Sequence, residues 1–298
     1  MLSLRTVVVS DIHLGYGPSD RVAFEEFIDS LLINKPDKLI LLGDVFDFWR
    51  RSDVDLLLEN KRIVEKLLRL PLVFVRGNHD YSMLKLSRRY PDQPAFGVQT
   101  SITLRNQNSR FVMLHGYELE VFVSMETVGL EAYEAFAESM CHAGETGGTI
   151  ASILYSLYER LKGESGTTSS SLKEAASTPP EIRLKSEKVD DLARSVSRTI
   201  MFGLEPSDVL IFGHTHRGFI ERGSHTVNTG SWVLETDKPD HNYVEITDQS
   251  YELKTWPVSD DVRRRRSTLG TTYTPKKLNT REALKAAKIA QQATYVKT

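Results

Sequence analysis

The segment LILLGDVFD (residues 39–47) places four consecutive aliphatic residues directly before a glycine and two aspartates. A short apolar run bounded by glycine and polar residues is typical of a strand that is buried on both faces. In open α/β sheets, functional residues gather just beyond the carboxyl ends of the strands. The segment therefore predicts a buried strand that delivers Asp44 and Asp47 to a site at the edge of a sheet.

Four further segments repeat this order of an apolar run followed by residues that bind metals. Together the five runs predict five strands, which we expect to lie in one layer and to carry their polar residues to a single metal-binding cleft. The four further runs are 7–9 before Asp11 and His13, 72–75 before Asn78, His79 and Asp80, 111–114 before His115, and 209–212 before His214 and His216.

The composition indicates an ordinary globular protein. The 298 residues are 40% hydrophobic and 26% charged, and the net charge of −2 points to no particular class of partner. The one cysteine, Cys141, excludes an internal disulfide and fits a reducing compartment. No apolar leader precedes Asp11 and no stretch reaches membrane-spanning length, so we expect a cytoplasmic protein.

The order of strand-like and helix-like patterns predicts an α/β domain over residues 1–258 that carries a helical insertion. Strand-like runs alternate with helical periodicity up to residue 117, which predicts helices packed on a mostly parallel sheet. Helical periodicity alone fills about 118–205, apart from a polar stretch at 163–180 that we expect to be a flexible loop. Strand-like runs return between 209 and 255.

Residues 259–298 form a basic tail, with ten Lys or Arg residues against three acidic ones. The tail is either a solvated extension or a segment attracted to an anionic membrane or to nucleic acid. The sequence favours neither interpretation strongly, and it says nothing about the oligomeric state.

The residues that follow the five runs suit a pair of metal ions. Two divalent cations about 3.5–4 Å apart are a recurrent solution to phosphoester hydrolysis. Such a pair needs a carboxylate that contacts both ions, together with imidazole and carbonyl-type ligands that keep the site from becoming too negative for a phosphate. Any one of these residues alone could be structural, since His13 or His115 could be an ordinary histidine and Asp47 or Asp80 a helix cap. Their joint occurrence favours a metal centre.

Five motifs in this order resemble those of the calcineurin-like metallophosphoesterase family, and the resemblance spans most of residues 1–260. The resemblance implies layered sheets flanked by helices and a hydrolase that uses two divalent metal ions. Manganese is the expected metal, with iron, zinc and magnesium as alternatives. The motifs are Asp11-x-His13, Gly43-Asp44-x-x-Asp47, Gly77-Asn78-His79-Asp80, His115 and Gly213-His214-x-His216.

The same resemblance implies a role for each residue. A metal-bound hydroxide would attack the phosphorus in line. His79 would face the leaving-group oxygen as an acid, and Asp47 would orient its imidazole. Of the implied ligands, Asp11, His13 and His216 would hold one ion, Asn78, His115 and His214 the other, and Asp44 would bridge the two.

Three features look like the UDP-2,3-diacylglucosamine pyrophosphohydrolase branch of the family: the phrase GDVFDFW (residues 43–49), the insertion after His115, and the Gly-Ser-Trp at 230–232. The resemblance implies a phosphodiester or pyrophosphate bond in a phosphorylated small molecule or a lipid-linked nucleotide, with the insertion as a lid. The chain departs from that branch at His79, where an arginine is usual, and at Tyr117 after the fourth motif.

Other interpretations remain open from the sequence. The enzyme could be a nuclease or a phosphomonoesterase of the same superfamily, or the chain could be a non-catalytic metal-binding scaffold. The insertion could be a structural or dimer-forming element in place of a lid, and either the insertion or the tail could make peripheral membrane contact. The neighbouring Cys141 and His142 do not by themselves make a metal site.

Overall fold

Two β-sheets packed face to face form the centre of the fold in the computed structural model, which describes residues 4–84, 98–124, 129–143, 180–234 and 241–259. The first sheet has the strand order β11 (Tyr251–Thr255), β10 (Asn242–Ile246), β1 (Thr6–Val9), β2 (Lys38–Leu42), β3 (Leu72–Val75) and β4 (Val98–Gln99). The second has the order β5 (Ser101–Arg105), β6 (Arg110–Leu114), β7 (Val209–Phe212), β9 (Thr226–Asn228) and β8 (Phe219–Glu221).

All five predicted strands are confirmed, but the prediction of a single layer is wrong. Strands β1, β2 and β3 lie in the first sheet, whereas β6 and β7 lie in the second. Both sheets are also mixed, because β1 pairs parallel with β2 and antiparallel with β10, and β6 pairs antiparallel with β5 and parallel with β7. A strand that is apolar on both faces needs a partner layer on each side, and here a second sheet supplies one of those layers.

Alternation along the strands separates the hydrophobic cores. In β2, Ile40 and Leu42 point toward the second sheet, where they pack with residues such as Met113 and Ile211. Leu39 and Leu41 point the other way and pack with Phe24 and other helical residues. This period of two is what a strand buried on both faces requires.

Helices cover the outer face of each sheet. Asp20 accepts a hydrogen bond from Ala23 N and so caps α1. The helical periodicity that follows β2 is divided at Asn60, which ends the helix Asp53–Glu59 and begins the helix Lys61–Leu67. The helices are α1 (Arg21–Ile33), α2 (Asp53–Glu59), α3 (Lys61–Leu67), α4 (Tyr117–Ser124), α5 (Leu130–Ala143), α6 (Pro180–Arg194) and α7 (Ser197–Phe202).

The described helices of the predicted insertion are built into the cores. Helix α5 buries Ala137, Met140 and Cys141 in the core beneath the first sheet. Helix α6 buries Val189 and Ala193 in a core shared with the second sheet. Outside the described residues lie 144–179, which include the predicted loop at 163–180 except for its last residue, and the basic tail beyond residue 259. Within the described ranges, no helix is long and apolar enough to cross a membrane.

Truncation between the sheets should destabilise the fold strongly. Ile40 is fully buried between the two sheets, so Ile40→Ala should lower the free energy of unfolding by about 2–5 kcal/mol through lost burial and a residual cavity. Urea unfolding of metal-free protein measures the change. Ile33→Ala is the control, since Ile33 is 81% exposed and its truncation should change stability by about 0.5 kcal/mol or less. Equal losses for the two variants would contradict this arrangement of the core.

Candidate metal centre

The loops that follow the strands turn sharply at the predicted metal ligands. A left-handed backbone is uncommon for residues other than glycine and costs about 1–3 kcal/mol each. Such strain persists only where the surrounding structure enforces it, and here neighbouring loops are tied by hydrogen bonds from Asp11 N to Gly43 O (3.1 Å) and from His13 N to Asp44 O (2.9 Å). The left-handed ligands are Asp11 (φ 55°), His13 (51°), Asp44 (53°), His214 (69°) and His216 (58°).

Gly43 is required by the closeness of these loops. Its φ is 83°, and a Cβ built on it would lie 2.5 Å from His115 Nδ1 and 2.8 Å from Gly77 Cα. Any side chain at this position would therefore push apart the loops that follow β2, β3 and β6.

Asp11, His13 and His216 form the first group of candidate ligands. His13 Nε2 lies 3.1 Å from His216 Nε2, and His216 Nε2 lies 3.3 Å from Asp11 Oδ1. Asp11 Oδ2 accepts a hydrogen bond from His214 N at 2.9 Å, whereas Oδ1 is buried without a hydrogen-bond partner. A buried acceptor beside two imidazole nitrogens is the arrangement that a divalent cation satisfies.

Asp44, His115 and His214 form the second group. Asn78, the remaining predicted ligand of this ion, directly precedes His79, whose N–H donates to Asp44 Oδ1. His115 Nδ1 donates to Leu42 O at 2.9 Å, so its Nε2 faces the centre, 3.2 Å from Asp44 Oδ2. Asn78 is buried, and its Oδ1 has no hydrogen-bond partner. An imidazole held by a backbone carbonyl through one nitrogen presents the other nitrogen in a set direction.

Asp44 lies between the two groups. Its Oδ2 is 3.7 Å from His13 Nε2 in the first group and 3.2 Å from His115 Nε2 in the second. Its Oδ1 accepts a hydrogen bond from His79 N at 2.9 Å. This position suits the predicted bridging carboxylate.

The buried carboxylates of the centre favour the binding of positive charge. Burial opposes ionisation of Asp44, but His115 and His79 outweigh it and hold the pKa of Asp44 well below its ordinary value. Burial likewise opposes a charge on His115, yet the carboxylates of Asp44 and Asp11 raise the pKa of His115 to about 10. A metal ion that binds His115 would therefore displace a proton from its imidazole. Together with the partnerless Oδ1 atoms of Asp11 and Asn78, this fits the two divalent ions of the predicted centre.

His79 and Asp47 form a pair beside these groups. His79 Nδ1 lies 3.1 Å from Asp47 Oδ1, and the His79 ring stacks on Trp49 with ring centroids 4.1 Å apart. Burial disfavours a charge on His79, but Asp47 and Asp44 outweigh it and raise the pKa of the imidazole. By distance alone, His13, Asp47 and His79 could also hold a cation. Arg50 already pairs with Asp47, which makes Asp47 less available to a metal.

The structure thus brings all nine predicted site residues together; their roles as ligands or acid remain predictions.

Asp80, a possible helix cap from the sequence, instead joins two loops, since it accepts hydrogen bonds from Gly77 N and Val45 N, both at 2.7 Å. Burial and the nearby Asp44 raise the pKa of Asp80 to about 7. The sequence reasoning missed Trp49 and Glu120. Trp49 donates from Nε1 to Asn78 O at 2.8 Å, and Glu120 pairs with His214. No motif marks either contact.

Comparison with known proteins gives three findings. The sequence model of the family described as calcineurin-like phosphoesterase matches residues 4–218. A protein named UDP-2,3-diacylglucosamine hydrolase from Shewanella sp. (strain W3-18-1) is 26% identical over 275 residues, which are 86% of this chain and 98% of that protein. A protein of the same name from Shewanella sp. (strain MR-7) is 27% identical over 237 residues, which are 77% of this chain and 90% of that protein.

Among solved structures, a metallophosphoesterase from Sphaerobacter thermophilus aligns over 89% of this chain and 94% of its own, with 13% identity and a TM-score of 0.39.

Removing the bridging carboxylate should empty the centre. Asp44→Asn should abolish most turnover of bis-p-nitrophenyl phosphate and lower the bound metal, because one carboxylate serves both groups of ligands. Elemental analysis of the purified variant measures the metal content. Asp37→Asn is the control, since Asp37 is exposed and accepts only from Arg5 N at 2.7 Å among the described contacts. Two retained metal equivalents with normal turnover in Asp44→Asn would exclude the bridging role.

Proposed function

Because this chain belongs to the calcineurin-like phosphoesterase family, we propose that it hydrolyses the pyrophosphate bond of an acylated, nucleotide-linked sugar with two divalent metal ions. Membership of the family makes the chain a metal-dependent hydrolase of phosphate ester or anhydride bonds. The proposal adds the substrate, the identity of the ligands and the role of His79.

The observation that carries the proposal is the convergence of buried, unsatisfied ligand atoms at the ends of β1, β2, β3, β6 and β7. Asp11 Oδ1 and Asn78 Oδ1 lack hydrogen-bond partners, and His115 Nε2 is directed at Asp44. Asp11, His13 and His216 would hold one ion, and Asn78, His115 and His214 the other, with Asp44 between them. The bound ions would neutralise phosphate charge and lower the pKa of water.

The donor set guides the choice of metal. It consists of carboxylate, amide and imidazole groups without a thiolate: the oxygen ligands suit manganese and magnesium, and the imidazoles suit iron and zinc. Of these we propose manganese, the metal that the family resemblance implies, and we keep the cytoplasmic location as a prediction.

Two contacts support our proposal that His79 delivers a proton to the leaving group. A carboxylate can only accept a hydrogen bond, so the 3.1 Å contact with Asp47 assigns the Nδ1 hydrogen and leaves Nε2 as the nitrogen that can serve the substrate. Asp47 and Asp44 raise the pKa of His79 against the effect of burial, which favours the protonated form that an acid needs. Trp49 stacks on the ring and limits its rotation.

Similarity to the Shewanella proteins supports the choice of substrate. Their name specifies UDP-2,3-diacylglucosamine, and the match covers 98% of one protein and 90% of the other. We extend that substrate class to this chain. Acyl chains would contact the insertion, although the burial of α5 and α6 in the cores disfavours a lid in which these two helices move together.

The substrate proposal can be tested with the Mn²⁺-loaded enzyme. UDP-2,3-diacylglucosamine should be converted into UMP and an acylated sugar phosphate, with kcat/KM at least about tenfold above that for bis-p-nitrophenyl phosphate, equivalent to about 1.4 kcal/mol of added transition-state binding. Phosphorus NMR identifies both products. Faster cleavage of single-stranded DNA or of p-nitrophenyl phosphate would favour the nuclease or phosphomonoesterase alternative. Absence of any metal-dependent turnover would favour the scaffold.

His79→Ala should separate acid catalysis from metal binding. The variant should keep both metal equivalents and lose kcat by about 10²–10⁴ on a poor leaving group, the usual contribution of a positioned acid. The loss should shrink with p-nitrophenyl esters, whose leaving group needs little protonation. Steady-state kinetics and elemental analysis are compared with those of His142→Ala, a control because His142 is exposed on α5. Loss of a metal in His79→Ala would assign His79 to the ligand set instead.

A further inference from the structure

Glu120 contacts a predicted metal ligand from outside the five motifs. It lies on α4, the first helix of the insertion, and its Oε2 pairs with His214 Nε2. The two residues are 94 positions apart in sequence. Their side chains are only 16% and 13% exposed, so the contact is largely shielded from water.

The contact determines which nitrogen of His214 is left able to bind a cation. A carboxylate acceptor places the hydrogen on Nε2, which leaves Nδ1 as the nitrogen able to bind a cation. His115 shows the opposite arrangement, since its Nδ1 donates to Leu42 O and its Nε2 faces Asp44. An imidazole that donates its second N–H to a carboxylate is better oriented and more basic toward a metal ion.

A second helix of the insertion supports the same loop. Thr215 lies between His214 and His216, and its Oγ1 donates to Asp190 Oδ1 on α6 at 2.8 Å. Asn228 Nδ2 donates to Thr215 Oγ1 at 2.9 Å from the other side. Asp190 is 1% exposed. Because both flanking histidines have left-handed backbones, an anchor between them would keep the strained turn in place.

We propose that the insertion completes the metal centre from outside, with Glu120 as the positioning residue that orients His214 and with the Asp190–Thr215 hydrogen bond supporting the same loop. The inference rests on the proposed ligand role of His214. It gives the insertion a function that requires no movement over the cleft.

Titration of metal-stripped, full-length protein with Mn²⁺ by calorimetry tests the proposal. The wild-type chain should bind two ions. Glu120→Ala should bind one ion with unchanged affinity and the other about 10–100-fold more weakly, the usual effect of removing such a partner. Electron paramagnetic resonance should show that the spin-coupled manganese pair is lost in this variant at metal concentrations that fill both sites of the wild type.

Two further variants make the result specific. Glu120→Gln should recover most of the affinity, because the amide oxygen can accept the same hydrogen bond. This variant also keeps the proposal testable if the alanine variant folds poorly. Phe122→Ala is the control on the same helix, since Phe122 is 55% exposed and its truncation should leave both ions bound.

The outcomes separate this inference from the proposed function. A wild-type chain that binds fewer than two ions would overturn the ligand set and the inference with it. Two ions in the wild type, with unchanged binding of both in Glu120→Ala, would overturn the role of Glu120 alone. An equal loss of both ions in Glu120→Ala and Glu120→Gln would also overturn it, because a positioning role acts on one ligand.

Discussion

Mutual stabilisation of buried carboxylates and imidazoles at the ends of the central strands is the interaction on which this structure depends. Burying an ionised carboxylate is costly unless opposite charge and hydrogen bonds compensate it. Asp11, Asp44 and Asp47 are all fully or almost fully buried. Among the described residues, histidines and Arg50 supply part of this compensation. The Oδ1 atoms of Asp11 and Asn78 are still left without a hydrogen-bond partner. Divalent cations would supply the remainder.

The fold is arranged to hold these groups together. Residues 7–9 of β1 are buried from end to end, as is all of β7, so the loops that follow them start from fixed positions. The loops after β1, β2 and β7 turn through a left-handed residue two positions beyond the strand end, at Asp11, Asp44 and His214, and hydrogen bonds join neighbouring loops. The strain in these turns is thus offset by the cores, which hold the predicted ligand atoms in fixed positions. Preorganisation of this kind reduces the cost of ordering the centre on binding.

Much of this could be predicted from the sequence because the signals are local. A short apolar run identifies a strand, and the polar residues that follow it lie at the end of that strand, which is why the structure brings the nine predicted site residues together. The division into two sheets could not be predicted, because the pairing of β6 with β7 joins segments about 100 residues apart and no short pattern records it. The contact of Glu120 with His214 could not be predicted for the same reason. The end of one helix and the start of the next at Asn60 could not be predicted because the helical periodicity continues across that residue.

A crystal structure of the Mn²⁺-loaded chain, with anomalous diffraction recorded at the manganese edge, would show whether two ions occupy this centre with Asp44 between them. We expect two anomalous peaks about 3.5–4 Å apart, one beside Asp11, His13 and His216, the other beside Asn78, His115 and His214. A single peak among His13, Asp47 and His79 would contradict this arrangement.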